Sequence, residues 1–86
     1  MSKNYENKLL NLGISLPDAP APAANYVPYV VVGDIVYISG QISGDANGRI
    51  NGKLGKNFSV EEGQIAAKTC GINLIAQLKS ACGGDL

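Results

Sequence analysis

The groups able to do chemistry in these 86 residues are few and narrow in type. There is no histidine, which excludes a Ser-His-Asp or Cys-His triad within one chain and any His-ligated zinc site. The two cysteines, Cys70 and Cys82, cannot make a zinc cage. They fall in one helical stretch, which at ~1.5 Å per residue holds them about 18 Å apart, beyond disulfide reach. Cys70 reads as a small buried hydrophobe rather than a nucleophile, because no base can be assigned to it. What remains is hydroxyls, backbone amides, carboxylates and a few cations. Arg49, the single arginine, and Lys53 lie in a turn-rich loop. They read as solvated charges, with anion binding as the alternative.

Taken as residues alone, the hydroxyl-bearing positions have structural readings. Tyr26 would anchor a proline-rich arm by burying its ring and finding a partner for its hydroxyl. Ser39 and Gly40 would end a strand, and Gln41 would cap a bend.

The elements that must hold these groups follow from composition and pattern. Seven Lys+Arg balance seven Asp+Glu, with 45% apolar residues and 16% charged, a globular balance. Neutrality removes the electrostatic case for non-specific nucleic-acid binding. A chain this short buries only about two-thirds of its unfolded surface and is marginal alone unless oligomeric. Unpaired cysteines suggest a reducing, cytoplasmic compartment. The opening residues lead into no signal-peptide core, and the apolar run Tyr29 to Val32 is far too short for a bilayer.

Residues 1–28 comprise a short helix and a Pro/Ala-rich arm. Tyr5, Leu9 and Leu12 share a face of the helix over 4–12, and Gly13 stops it. All four prolines fall between Leu16 and Pro28, an extended run that serves either as a linker or as an arm laid over the surface. Residues 29–54 form a hairpin and loop. Strands at 29–32 and 35–39 flank Gly33-Asp34, which suits a II′ or I′ turn. Asp45 to Arg49 reads as a turn-rich loop, and Ile50 to Leu54 as at most a short third strand. The helix over 59–82 opens on a Ser59/Glu62 capping box and closes at Gly83-Gly84. Its expected inner stripe is Ala67, Cys70, Leu74, Leu78 and Ala81, with Gly71, Ile75 and Cys82 beside it.

Two or three strands under one helix leave exposed edges and a half-covered core. The chain therefore reads as the first half of a single α+β domain over 1–86. Either other subunits supply the partner strands, or the sequence is a piece of a longer chain.

The run Pro22-Ala23-Ala24-Asn25-Tyr26-Val27-Pro28, followed by Gly33-Asp34-Ile35-Val36-Tyr37-Ile38-Ser39-Gly40-Gln41-Ile42, resembles the YjgF/Rid family. These are reactive-intermediate deaminases, long described as L-PSP endoribonucleases. The Gly52-Lys53-Leu54-Gly55 loop, the helix carrying Glu62, Ala66-Ala67, Asn73-Leu74 and Leu78, and the Gly84-Asp85-Leu86 stretch extend the likeness over nearly the whole chain. Leu12-Gly13-Ile14-Ser15-Leu16-Pro17 resembles one divergent branch.

The resemblance implies a chorismate-mutase-like α+β fold and a homotrimer with ligand clefts at its subunit interfaces. It implies cofactor-free and metal-free hydrolysis of 2-imino acids or enamines to 2-keto acids and ammonia. Tyr26 and Ser39 would line the cleft, which holds a small acid, and Gly40 would offer backbone contacts. The family's carboxylate-binding arginine and acidic residue lie in the second half of its domain, and Arg49 does not match that position. The chain alone is therefore expected to be inactive. A non-catalytic trimeric module that binds small acids or acts as a chaperone is the alternative. An endoribonuclease comes third, since a neutral chain without histidine lacks the usual general base.

Overall fold

The computed structural model describes residues 3–22, 24–45 and 48–86. Ala23 of the arm and Ala46-Asn47 of the expected turn lie outside the described residues. The elements run α1 (Lys3–Asn11), β1 (Tyr29–Val32), β2 (Ile35–Ile38), β3 (Gly44–Asp45), β4 (Gly48–Arg49) and α2 (Val60–Ala81). No helix among the described residues is long and apolar enough to cross a membrane.

β1 and β2 pair antiparallel with Tyr29 opposite Ile38 and Val32 opposite Ile35. Gly33 has φ +60° and, among the described residues, no non-glycine residue has positive φ, so the connection takes the sign pattern of a II′ turn rather than I′. A bond from Ser39 N to the Pro28 carbonyl, 2.9 Å, carries the ladder one step past the strands.

Alternation along the strands puts Tyr29, Val31, Val36 and Ile38 on one side and Val30, Val32, Ile35 and Tyr37 on the other. The first side faces α2 through Tyr29, Val36 and Ile38, with the Tyr29 and Ser80 hydroxyls 3.2 Å apart, while Val31 is exposed. The second side is uncovered: its four residues are between 48% and 62% exposed.

The expected third strand at 50–54 does not form. Pairing occurs earlier, in a miniature hairpin that sets Gly44 opposite Arg49 and Asp45 opposite Gly48. Gly48, at φ +111°, supplies the backbone conformation that this tight return needs. Ser43 and Ile50 extend it through paired 2.7 Å bonds. Of the expected third strand, only Leu54 takes a bridge, to Phe58.

Both helices end as the glycines foretell. Gly13 and Gly83 take positive φ. In each case paired bonds close a Schellman motif: Ile14 N to Leu9 O and Gly13 N to Leu10 O, then Gly84 N to Lys79 O and Gly83 N to Ser80 O. The capping box of α2 is complete, with Glu62 N donating to Ser59 Oγ at 3.1 Å and Ser59 N to Glu62 Oε1 at 3.0 Å.

The buried face of α2 is not the expected one. Its buried residues are Asn73 (4% exposed), Ala76 (3%) and Gln77 (2%), while Ala67 and Leu74 are exposed. At about 100° per residue, the expected stripe lies roughly 100° round the helix from Asn73. Leu78 of the stripe and Ile75 beside it face an apolar cleft of about 370 Å³ shared with Tyr5, Leu9 and Leu12 of the α1 region. The Lys79–Glu6 ion pair, 2.6 Å, bridges the two helices. The α1 stripe is itself only partly covered, for Leu9 is half-buried but Tyr5 and Leu12 remain exposed. Cys70 is half-buried and Cys82 exposed, both as free thiols.

These elements do not close a core. The chain exposes 6228 Å², against about 4,800 Å² for a compact monomer of its mass. Its radius of gyration is 14.2 Å, where about 12 Å is expected.

Because the α2 box satisfies two otherwise orphaned donors, Ser59→Ala should cost about 1 kcal/mol in urea denaturation. Unchanged stability would show that the cap does not hold the helix start.

Candidate functional site

The site grows from the two amides that α2 buries. Asn73 and Gln77 are four residues apart, so their side chains lie one turn apart on the same face. Both N–H groups of each amide are used. Asn73 Nδ2 donates to the carbonyls of Ile42 (3.0 Å) and Gly44 (2.9 Å). Gln77 Nε2 donates to the Pro20 carbonyl (2.7 Å) and to Gln41 Oε1 (3.3 Å). Gln41 Nε2 in turn reaches back to the Ser39 carbonyl at 3.3 Å.

One helix turn thus fastens the proline arm at Pro20 and the corner that leads from β2 through Ile42 into β3. A proline-rich arm has few donors to offer, so its carbonyls need a donor from elsewhere. The amides provide it, and their orientation is set because both hydrogens are engaged.

On this frame the residues expected to form a site come together. The Tyr26 hydroxyl donates to the Gly40 carbonyl at 3.2 Å, locking the arm to the corner from the other side. Ser39 Oγ donates to the Pro28 carbonyl at 3.0 Å, the same oxygen that accepts from Ser39 N. Tyr26, Ser39 and Gly40 are therefore one hydrogen-bonded neighbourhood where the arm crosses the end of the hairpin. Their hydroxyl protons are committed to backbone, which leaves oxygen lone pairs to accept from a ligand.

Beside them opens a cleft of about 340 Å³, at the small end of the range for small-molecule sites. Its walls include Asp18 of the arm, Tyr26, Gln41, Arg49 of β4 and Asn73. Ser39 and Gly40 are not among its lining residues, so Tyr26 is the link between the expected constellation and this space.

Asn73, Gln77 and Asp18 escaped the reading of residue types. The usable signal was an Asn and a Gln at helical spacing inside the apolar run Ile72 to Leu78, which only a buried, bonded pair of amides would tolerate.

A hairpin under one long capped helix, with an extended arm crossing the strand end, is a small α+β arrangement. The family model described as "YjgF/chorismate_mutase-like, putative endoribonuclease" matches residues 6–86, and the chain belongs to that family. The chorismate-mutase-like α+β fold expected from the sequence is the one found.

Protein TCP17 of Trypanosoma cruzi is 45% identical over 76 residues, 87% of this chain and 48% of its own length. Two solved structures are similar at 39% identity. The protein Atu1372 of Agrobacterium tumefaciens, described as of unknown function, has a TM-score of 0.78 over 99% of this chain and 52% of its own. A "putative endoribonuclease" of Shewanella oneidensis has a TM-score of 0.82 over 91% and 52%. The chain thus spans about half the length of these relatives.

Replacing Asn73 by Ala strands two carbonyls and should cost about 2 kcal/mol. Tyr26→Phe, which removes one partly exposed bond, should cost less than about 1 kcal/mol. Thermal unfolding of the two variants checks the order, and a larger loss for Tyr26→Phe would contradict it.

Proposed function

We propose that these residues carry one part of a cofactor-free imine or enamine hydrolase site, the part built from Tyr26, Ser39 and Gly40. The observation that supports it most is the Tyr26 hydroxyl on the Gly40 carbonyl, 3.2 Å, with Ser39 adjoining. It concentrates hydroxyl oxygens and peptide groups at one edge of the hairpin.

Hydrolysis of a 2-imino acid needs a grip on the carboxylate, a polar group near the reactive nitrogen, and a positioned water with a proton donor. The Ser39 and Tyr26 oxygens and the peptide groups about Gly40 supply the polar wall. In this reading the carboxylate-gripping cation and the acid come from outside these 86 residues, either from further along a longer chain or from a neighbouring subunit. The assembly is a homotrimer with clefts between subunits, in the cytoplasm. The uncovered apolar face of Val30, Val32, Ile35 and Tyr37 supports association, since burying it removes apolar surface from water. An endoribonuclease, the activity named for the Shewanella neighbour, is less well supported: the chain is neutral and has no histidine to act as base.

Three measurements test the reading. With a 2-imino acid generated in solution, the 86-residue chain should leave ammonia release at the uncatalysed rate. A fusion that adds the second half of the Shewanella neighbour should accelerate it, and Tyr26→Phe in that fusion should reduce the gain roughly tenfold. A fusion that is folded yet inert would overturn the hydrolase and favour the binding-module alternative. Light scattering should give three copies per particle, and a stable monomer would refute the trimer. Labelled single-stranded RNA should stay intact, and its cleavage would favour the endoribonuclease.

A further inference from the structure

The cleft beside Tyr26 can be read by asking which of its polar groups are already engaged. Tyr26 donates to Gly40, and Gln41 is bonded at both ends of its amide, to Ser39 and Gln77. Pro17 and Pro20, also in the wall, have no N–H to give. Among the described residues, three side-chain groups of the lining remain uncommitted. These are the Asp18 carboxylate, the Arg49 guanidinium, and Oδ1 of Asn73, whose Nδ2 is spent on Ile42 and Gly44.

The three groups differ in chemistry. One is an anion, one a cation and one a neutral acceptor on a side chain 4% exposed. Asp18 and Arg49 form no ion pair with each other, although both line the same space. The Arg49 stem runs beside Gly44: a Cβ placed there would meet Arg49 Cγ at 3.7 Å.

A ligand that satisfies all three must present a carboxylate to the guanidinium fork and several N–H donors to Asp18 and Asn73. A monoacid leaves Asp18 and the Asn73 oxygen without donors, and an amine leaves Arg49 without an acceptor. A group with three N–H donors beside a carboxylate is an α-amino acid zwitterion. Its zero net charge matches the zero sum of Asp18 and Arg49. The cleft volume, about 340 Å³, admits a molecule of that size.

We propose that the cleft between the proline arm and the β3–β4 hairpin binds a free α-amino acid, with Arg49 on its carboxylate and Asp18 and Asn73 Oδ1 on its ammonium. This site does not rest on the hydrolase reading. None of its three polar contacts belongs to the Tyr26–Ser39–Gly40 constellation, and Tyr26 serves here only as wall.

The test is titration of the ¹⁵N-labelled protein with glycine and L-alanine, followed through the Asn73 side-chain NH2 and the Arg49 signals. Saturable shifts at both are expected. N-acetyl-L-alanine and L-alaninamide, each lacking one of the two charges, should bind at least roughly tenfold more weakly. Arg49→Gln and Asp18→Asn, both at exposed positions, should each weaken binding by about the same factor with the remaining spectrum unchanged. The proposal is overturned if neither amino acid shifts these signals at millimolar concentration. It is equally overturned if the blocked analogues bind as well as L-alanine, or if the two variants bind as well as the parent.

Discussion

The arrangement depends on two carboxamides buried where an apolar stripe would be the simpler choice. Burying an amide without partners costs several kcal/mol, so Asn73 and Gln77 persist in the interior only because all four of their N–H groups are bonded. Their acceptors belong to the proline arm, to the corner after β2 and to the first residue of β3. The same bonds therefore satisfy the helix and define the path of the chain around it. The Tyr26–Gly40 contact, the position of Ser39 and the floor of the cleft all follow from that path.

The second constraint is surface. A hairpin has two faces, and one helix covers one of them. The other, Val30, Val32, Ile35 and Tyr37, stays in water, as does much of the apolar surface of α2 and α1. The total exposed area exceeds that of a compact monomer by well over a fifth. An interior this small cannot carry the fold by hydrophobic burial, which raises the relative weight of the amide bonds and the helix caps. The chain spans about half the length of the relatives it matches.

What was legible in the sequence was local. The Gly33-Asp34 hairpin, the Ser59/Glu62 box and the glycine helix stops each depend on a few adjacent residues, and each was found where its chemistry placed it. The family was legible because its motif threads those same local features in order. What failed was whatever depends on distant partners. The α2 stripe of Ala67, Leu74 and Leu78 has good helical periodicity, yet the helix turns its amides inward, since the arm and corner carbonyls need donors more than the sheet needs leucine. The strand expected at 50–54 lost to an earlier pairing that Gly44 and Gly48 make easy. Arg49, read as a loop charge with anion binding as the alternative, stands on the wall of a cleft whose opposite charge, Asp18, lies 31 residues earlier in the chain.

The central claim is that the Asn73 and Gln77 amides hold the arm and corner in place. Hydrogen exchange of their side-chain NH2 protons tests it most directly. In the native protein those protons should exchange as slowly as the backbone amides of central α2, and far more slowly than those of exposed Asn51. Exchange of the Asn73 and Gln77 protons at the rate of Asn51, with α2 still protected, would contradict the account.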